Sequence, residues 1–134
     1  MFRIALVDND RNLLASLSVM FESEGFEVTT YHDGQLALSA FTNYMPDIAI
    51  LDVTLPGLNG LDLLQKIRNR SAIPVIFLTA KNDEIDEVLG LRMGADDYVK
   101  KPFSQRALLE RVHNLLRRQT IKSKDLIVDN GGST

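Results

Sequence analysis

The chain has no cysteine, which excludes disulfide bonds and thiolate metal sites. No apolar run approaches the roughly 20 residues that a membrane-spanning helix needs. The opening residues Met1-Phe2-Arg3-Ile4-Ala5-Leu6-Val7 lead directly into acidic side chains and lack the layout of a secretory signal. These absences lead us to expect a cytoplasmic protein that makes no use of a membrane. Positive charge is not in surplus either: 15 Lys and Arg stand against 18 Asp and Glu, for a net charge of −3. A domain that grips nucleic acid through its own surface usually carries a basic excess, so DNA is not an expected partner of these residues by themselves. The locally basic tail of Arg117, Arg118, Lys122 and Lys124 reads as a solvated helix end, where cations suit the macrodipole.

What is present describes one domain. The 134 residues are 45% hydrophobic and 25% charged, enough to bury a core. Five β-rich apolar runs recur: Ile4–Val7, Glu27–Tyr31, Ile48–Leu51, Val75–Leu78 and Tyr98–Val99. Three are nearly continuous in apolar residues, as expected for strands covered on both faces. The segments between them carry helical spacing, clearest in Leu13, Leu14, Leu17, Met20 and Phe21, in Leu61, Leu64 and Ile67, and in Leu108, Leu109, Val112, Leu115 and Leu116. Gly25 suits a helix stop, Gly34 a turn, and Ser104 the N-cap of the last helix. Pro46 and Pro74 stand just before strands, where a missing N–H costs little. Strand–helix alternation at this pitch predicts an α/β fold: a parallel sheet with right-handed crossovers and helices on both faces. Residues 120–134 lose the apolar period and end in Asn-Gly-Gly-Ser-Thr, which reads as linker.

In an open parallel sheet, ligands bind beyond the carboxyl ends of the strands. The first strand ends at Asp8, Asn9 and Asp10, the third at Asp52, and the fourth at Thr79 and Ala80; the fifth is followed by Lys100, Lys101 and Pro102. Carboxylates, a hydroxyl and an ammonium are thereby predicted to share one crevice. Clustered carboxylates repel unless a cation sits among them, and oxygen-only ligands suit Mg²⁺. A carboxylate can accept a phosphoryl group covalently, with a lysine pairing one phosphoryl oxygen as a point charge. Each residue also has a plainer use. Asp8 and Asp10 suit helix N-caps, Asp52 a turn before Leu55-Pro56-Gly57, Thr79 a strand end, and Lys101 a solvated loop. Convergence on one sheet edge favours the site.

The ordered segments Leu6-Val7-Asp8-Asn9-Asp10, Pro46–Asp52, Leu55-Pro56-Gly57-Leu58-Asn59-Gly60, Leu78-Thr79-Ala80 and Gly94–Phe103 resemble the motifs of response-regulator receiver domains. The last of them looks like the OmpR/PhoB winged-helix class. Ala5–Asp8, Asp10–Asn12 and Glu84-Ile85-Asp86-Glu87 look like ChvI/BvrR-type regulators. The resemblance implies a flavodoxin-like (βα)5 sandwich with strand order 2-1-3-4-5. It implies a receiver domain over residues 1–119 and a linker over 120–134 toward a C-terminal DNA-binding domain. Asp52 would take the phosphoryl group from a sensor histidine kinase, and Thr79 and Lys101 would contact it. Asp8, Asn9, Asp52 and the Thr54 backbone carbonyl would hold Mg²⁺. Thr79 and Tyr98 would form the switch. Asn9 departs from the family, which commonly has a carboxylate there; an amide oxygen coordinates without charge, so weaker Mg²⁺ binding is expected.

The resemblance also implies a homodimer through the face of the fourth helix, fifth strand and fifth helix. Val88, Leu91, Leu108 and Leu109 would give it an apolar patch, with Asp96, Asp97 and Arg111 as ion pairs across a two-fold axis. Glu87 and Ala107 depart from the family's charges, so one pair is missing or rewired. The chain is then a signalling domain controlling transcription, not an enzyme beyond limited self-directed chemistry. One alternative is a stand-alone or phosphorylation-independent receiver that binds a partner protein. A remote one is a haloacid-dehalogenase-like phosphohydrolase, which typically has a second Asp two residues after its nucleophile; Val53 and Thr54 follow Asp52 here.

Overall fold

A computed structural model describes residues 1–80, 88 and 90–132. The elements run β1 (Arg3–Val7), α1 (Arg11–Ser23), β2 (Glu27–Tyr31), α2 (Gly34–Asn43), β3 (Ile48–Asp52), α3 (Gly60–Arg68), β4 (Val75–Thr79), β5 (Asp97–Lys100) and a C-terminal helix (Gln105–Gly132). Val88 and residues 90–92 are also helical. The five strands form one parallel sheet in the order β2-β1-β3-β4-β5, as the resemblance implied. Every residue of β3 and β4 is buried, whereas β2, an edge strand, exposes Glu27, Thr29 and Thr30. That contrast matches the continuous apolar runs of β3 and β4, two of the three inner strands.

Strand alternation divides the core in two. On one face Ile4, Leu6, Ile48, Ile50, Ile76 and Leu78 pack with Leu14, Leu17 and Phe21 of α1 and Leu108, Val112, Leu115 and Leu116 of the C-terminal helix. On the other, Ala5, Val7, Ala49, Leu51 and Phe77 meet Ala37 and Phe41 of α2 and Leu63, Leu64 and Ile67 of α3. Each large apolar side chain removed from water in this way contributes about 1.5–3 kcal/mol.

Local signals work as the residue types suggest. Asp10 is the N-cap of α1, its Oδ1 accepting the N–H groups of Asn12 and Leu13 at 3.0 and 3.1 Å, which frees Asp8 for another role. Gly25, at φ +93°, follows the end of α1. Gly34 opens α2 behind the cap Asp33 instead of lying in a turn. Ser104 Oγ accepts the Ala107 N–H at 3.2 Å, capping the C-terminal helix. That helix continues past residue 119 to Gly132, across the stretch read as linker. No proline follows Pro102 to interrupt it, and a helical backbone is compatible with a connecting segment.

Candidate functional site

β3 is flanked by β1 and β4, so its last residue, Asp52, emerges at the centre of the carboxyl edge. The Val53 N–H extends the ladder by donating to the Leu78 carbonyl at 3.1 Å. The chain then folds back, and the Gly60 N–H donates to the Val53 carbonyl at 3.0 Å. A Cβ at Gly60 would stand 2.3 Å from the Asp52 carbonyl oxygen and 2.9 Å from Val53 Cα. Only glycine lets α3 start this close to the acid. The sequence signal for this close approach is the Asn59-Gly60 pair that opens a helical run.

The Asp52 carboxylate is held at both oxygens. Thr54 donates its N–H to Oδ1 at 3.0 Å and its hydroxyl to the same atom at 3.2 Å. Oδ2 faces Lys101 Nζ at 3.5 Å. The same ammonium donates to Asp8 Oδ2 at 2.9 Å, while Asp8 Oδ1 accepts the Asp10 N–H at 2.8 Å. Lys101 is placed by its backbone N–H, which donates to the Thr79 carbonyl at 2.7 Å. Thr79 lies on β4, one residue beyond Leu78, the register partner of Asp52. Asp8, Asp52 and Thr79 are all buried. The structure therefore gathers Asp8, Asp52, Thr79 and Lys101 at one sheet edge.

Burial raises the Asp8 pKa, and the Asp52 charge adds to the rise; the Asp10 N–H and the Lys101 ammonium oppose it. Burial by itself would lower Lys101. The Asp8 hydrogen bond and the charges of Asp52 and Asp8 outweigh it and raise the ammonium above its ordinary value. Two carboxylates against one ammonium leave one net negative charge, an environment that attracts a cation. Among the described residues, no group of three His, Cys, Asp or Glu side chains converges as a metal cage. The donors are hard oxygens in small number beside an exposed Asn9, which fits an ion that retains several waters, as Mg²⁺ does.

Tyr98 is half-buried on β5 with its ring edge-to-face on Phe77, centroids 5.8 Å apart. Three proposed surface residues sit differently from expectation. Leu108 is wholly buried in the core between the C-terminal helix and the sheet, so it belongs to the fold and not to an exposed patch. Leu109 is also buried. Asp96 is engaged internally: its Oδ2 accepts the Val75 N–H at 2.8 Å and the Arg68 Nη2 at 3.0 Å. Asp97 and Arg111 pair within one chain, with Nη1 2.8 Å from both carboxylate oxygens. Val88 and Leu91 are exposed, as expected. Glu84–Glu87 lie outside the described residues.

Arg68 was not anticipated. Its Nε and Nη2 donate to the Gly94 carbonyl at 3.0 and 2.7 Å, and its Nη1 to the Ile73 carbonyl at 2.7 Å. It ties the end of α3 to the segments entering β4 and β5.

Comparison with known proteins gives a consistent picture. Residues 4–113 match the family model of the response regulator receiver domain. The chain is 42% identical over 125 residues to the DNA-binding response regulator MtrA of Mycolicibacterium smegmatis, covering 93% of this chain and 55% of that protein. It is 44% identical over all 134 residues to the transcriptional regulatory protein CpxR of Escherichia coli K12, covering 57% of that protein. The chain thus spans little more than half the length of these curated relatives. A crystal structure of a CheY-like receiver domain protein from Methanospirillum hungatei superposes with a TM-score of 0.86 at 31% identity, covering 91% of this chain and 98% of that one.

Proposed function

The chain belongs to the response regulator receiver domain family, and on that premise we propose that Asp52 accepts a phosphoryl group from the phosphohistidine of a sensor kinase. One observation carries the reading: a buried carboxylate closes the central strand while one ammonium spans it and Asp8. In the transfer an Asp52 oxygen attacks phosphorus and the phosphorus–nitrogen bond breaks, with the electron pair leaving on the imidazole. Thr54 holds and orients the carboxylate. Lys101, already within reach, pairs with an oxygen of the incoming group as a fixed charge. Asp8, Asn9, Asp52 and the Thr54 carbonyl would hold Mg²⁺, which supplies charge neutralisation at the transferring phosphoryl group. Asn9 adds no charge to that set, which lowers its affinity.

The product adds charge and acceptor oxygens at the sheet edge. Thr79 is drawn to them, and the Tyr98 ring moves inward. The helical stretch carrying Val88 and Leu91 then changes its surface, favouring a homodimer. Asp97 and Arg111 contribute to that face, whereas Leu108 does not. A DNA-binding output domain beyond the 120–134 segment, as in the class of MtrA and CpxR, turns dimerisation into transcription control in the cytoplasm. Among the described residues no helix is long and apolar enough to cross a membrane. We place the chain with signalling domains and not with phosphohydrolases, because the residue two after Asp52 is Thr54, which donates to Asp52 itself.

The test is incubation with acetyl phosphate and Mg²⁺ followed by intact mass measurement. One phosphoryl addition is expected in the wild type and none in Asp52→Asn. Addition to both, or to neither, removes Asp52 from the role.

A further inference from the structure

Gly90 is buried between two exposed residues, Val88 and Leu91, that expose 54% and 48% of their surface. A Cβ at Gly90 would stand 2.9 and 3.0 Å from Cε2 and Cδ2 of Phe77 and 3.4 Å from Cε2 of Tyr98. The backbone at Gly90 therefore rests on the two rings with no side chain between. Its far end is pinned. The Gly94 N–H donates to the Leu91 carbonyl at 3.2 Å, the Ala95 N–H to the Gly90 carbonyl at 3.0 Å, and Arg68 grips the Gly94 carbonyl.

The three bodies in contact differ in freedom. Phe77 is wholly buried on β4, between β3 and β5. Tyr98 is half-buried. A contact between two side chains absorbs displacement by changing rotamers. Backbone against a ring has no such slack, and close-packed interiors transmit strain.

We propose that Gly90 is a positioning residue of the switch: it seats the helical backbone at residue 90 directly on the Tyr98–Phe77 pair, so that ring movement displaces Val88 and Leu91. This rests on the reading of Asp52, Thr79 and Tyr98 as a phosphorylation switch, and it names the contact that carries ring position to the surface. Any side chain at residue 90 wedges the seat open. Shortening Phe77 makes room for the wedge.

The experiment labels the chain with 3-fluorotyrosine and with methyl-labelled Val and Leu, and compares wild type, Gly90→Ala, Phe77→Leu and the double variant by NMR. Without phosphoryl donor, Gly90→Ala shifts the Tyr98 fluorine resonance, assigned with Tyr98→Phe, and leaves Tyr31 and Tyr44 in place. The double variant returns it. With acetyl phosphate and Mg²⁺, at equal phosphorylation of Asp52 by mass, the responses of the Val88 and Leu91 methyl groups are largely lost in Gly90→Ala and recovered in the double variant. Equal methyl responses in wild type and Gly90→Ala, or an unmoved Tyr98 resonance, overturn the proposal. If Gly90→Ala does not fold, Phe77→Leu opens the same contact from the other side, and an undiminished response there overturns it as well. If wild-type Asp52 takes up no phosphoryl group, the phosphoacceptor reading fails, and the seat is judged on the fluorine resonances alone.

Discussion

Replacing Lys101 with Met keeps the length of the side chain and removes the ammonium that lies between two buried carboxylates. Its Nζ lies 2.9 Å from Asp8 and 3.5 Å from Asp52, whose side chains are 3% and 8% exposed. Removing one partner of a fully buried pair costs roughly 3–5 kcal/mol. The lysine is 28% exposed, so solvent softens the loss, and about 2 kcal/mol is expected at neutral pH. With a urea dependence of about 1–3 kcal/mol per molar, the unfolding midpoint falls by roughly 1 M. The sign with pH follows from linkage. Asp8 has a raised pKa in the folded state, so its contribution is favourable below the ordinary carboxylate value and is lost as pH rises through the folded value. Without Lys101 to oppose it, that pKa rises further. The deficit of the variant is therefore small in acid, where Asp8 is protonated, and develops as pH rises above the folded Asp8 value. The raised Lys101 pKa keeps the wild-type advantage through neutral and mildly alkaline pH, until the ammonium itself deprotonates. Urea unfolding followed by circular dichroism across this range is the assay. Added Mg²⁺ should raise the midpoint of the variant more than that of the wild type, since a cation replaces the missing charge. Unchanged stability at neutral pH, or a deficit that persists undiminished in acid, refutes the account.

Asn9→Asp adds a second negative charge to the pocket's net charge and should tighten Mg²⁺ binding by about tenfold in a calorimetric titration; equal affinities contradict it. Arg68→Met removes charge-assisted bonds to the Gly94 and Ile73 carbonyls and the pair with Asp96. It should cost about 2–3 kcal/mol in urea unfolding, with little recovery in Arg68→Lys, which lacks the planar fork. Leu108→Ala should cost about 2–4 kcal/mol as a cavity in the core, while sedimentation shows self-association unchanged under conditions where the variant stays folded.

Much of the fold was legible because buried strands and amphipathic helices write their periods into the chain. The runs Ile48–Leu51 and Val75–Leu78 fall within β3 and β4 with one further residue each, Asp52 and Thr79. Those added residues are the ones facing the site. The site was legible because a parallel sheet places every strand's carboxyl end on one edge, which brings Lys101 to Asp8 across 93 positions. Periodicity could not tell Leu108 from Leu91: both are apolar residues at helical spacing, yet one is wholly buried and the other 48% exposed. Nor could it show that Asp96 serves Arg68 and the Val75 N–H, or that Gly60 and Gly90 stand where a methyl group would strike the Asp52 backbone or the Phe77 ring.

Residue type and order by themselves determined the parallel α/β architecture and the strand ends that carry Asp8, Asp52, Thr79 and Lys101, because hydrophobic period and strand-end position are local properties carried along the chain. Tertiary structure alone decided which apolar residues remain on the surface, which acids are occupied internally and where a missing side chain permits close approach. Those are properties of the space between elements, which comes into existence only when the elements pack.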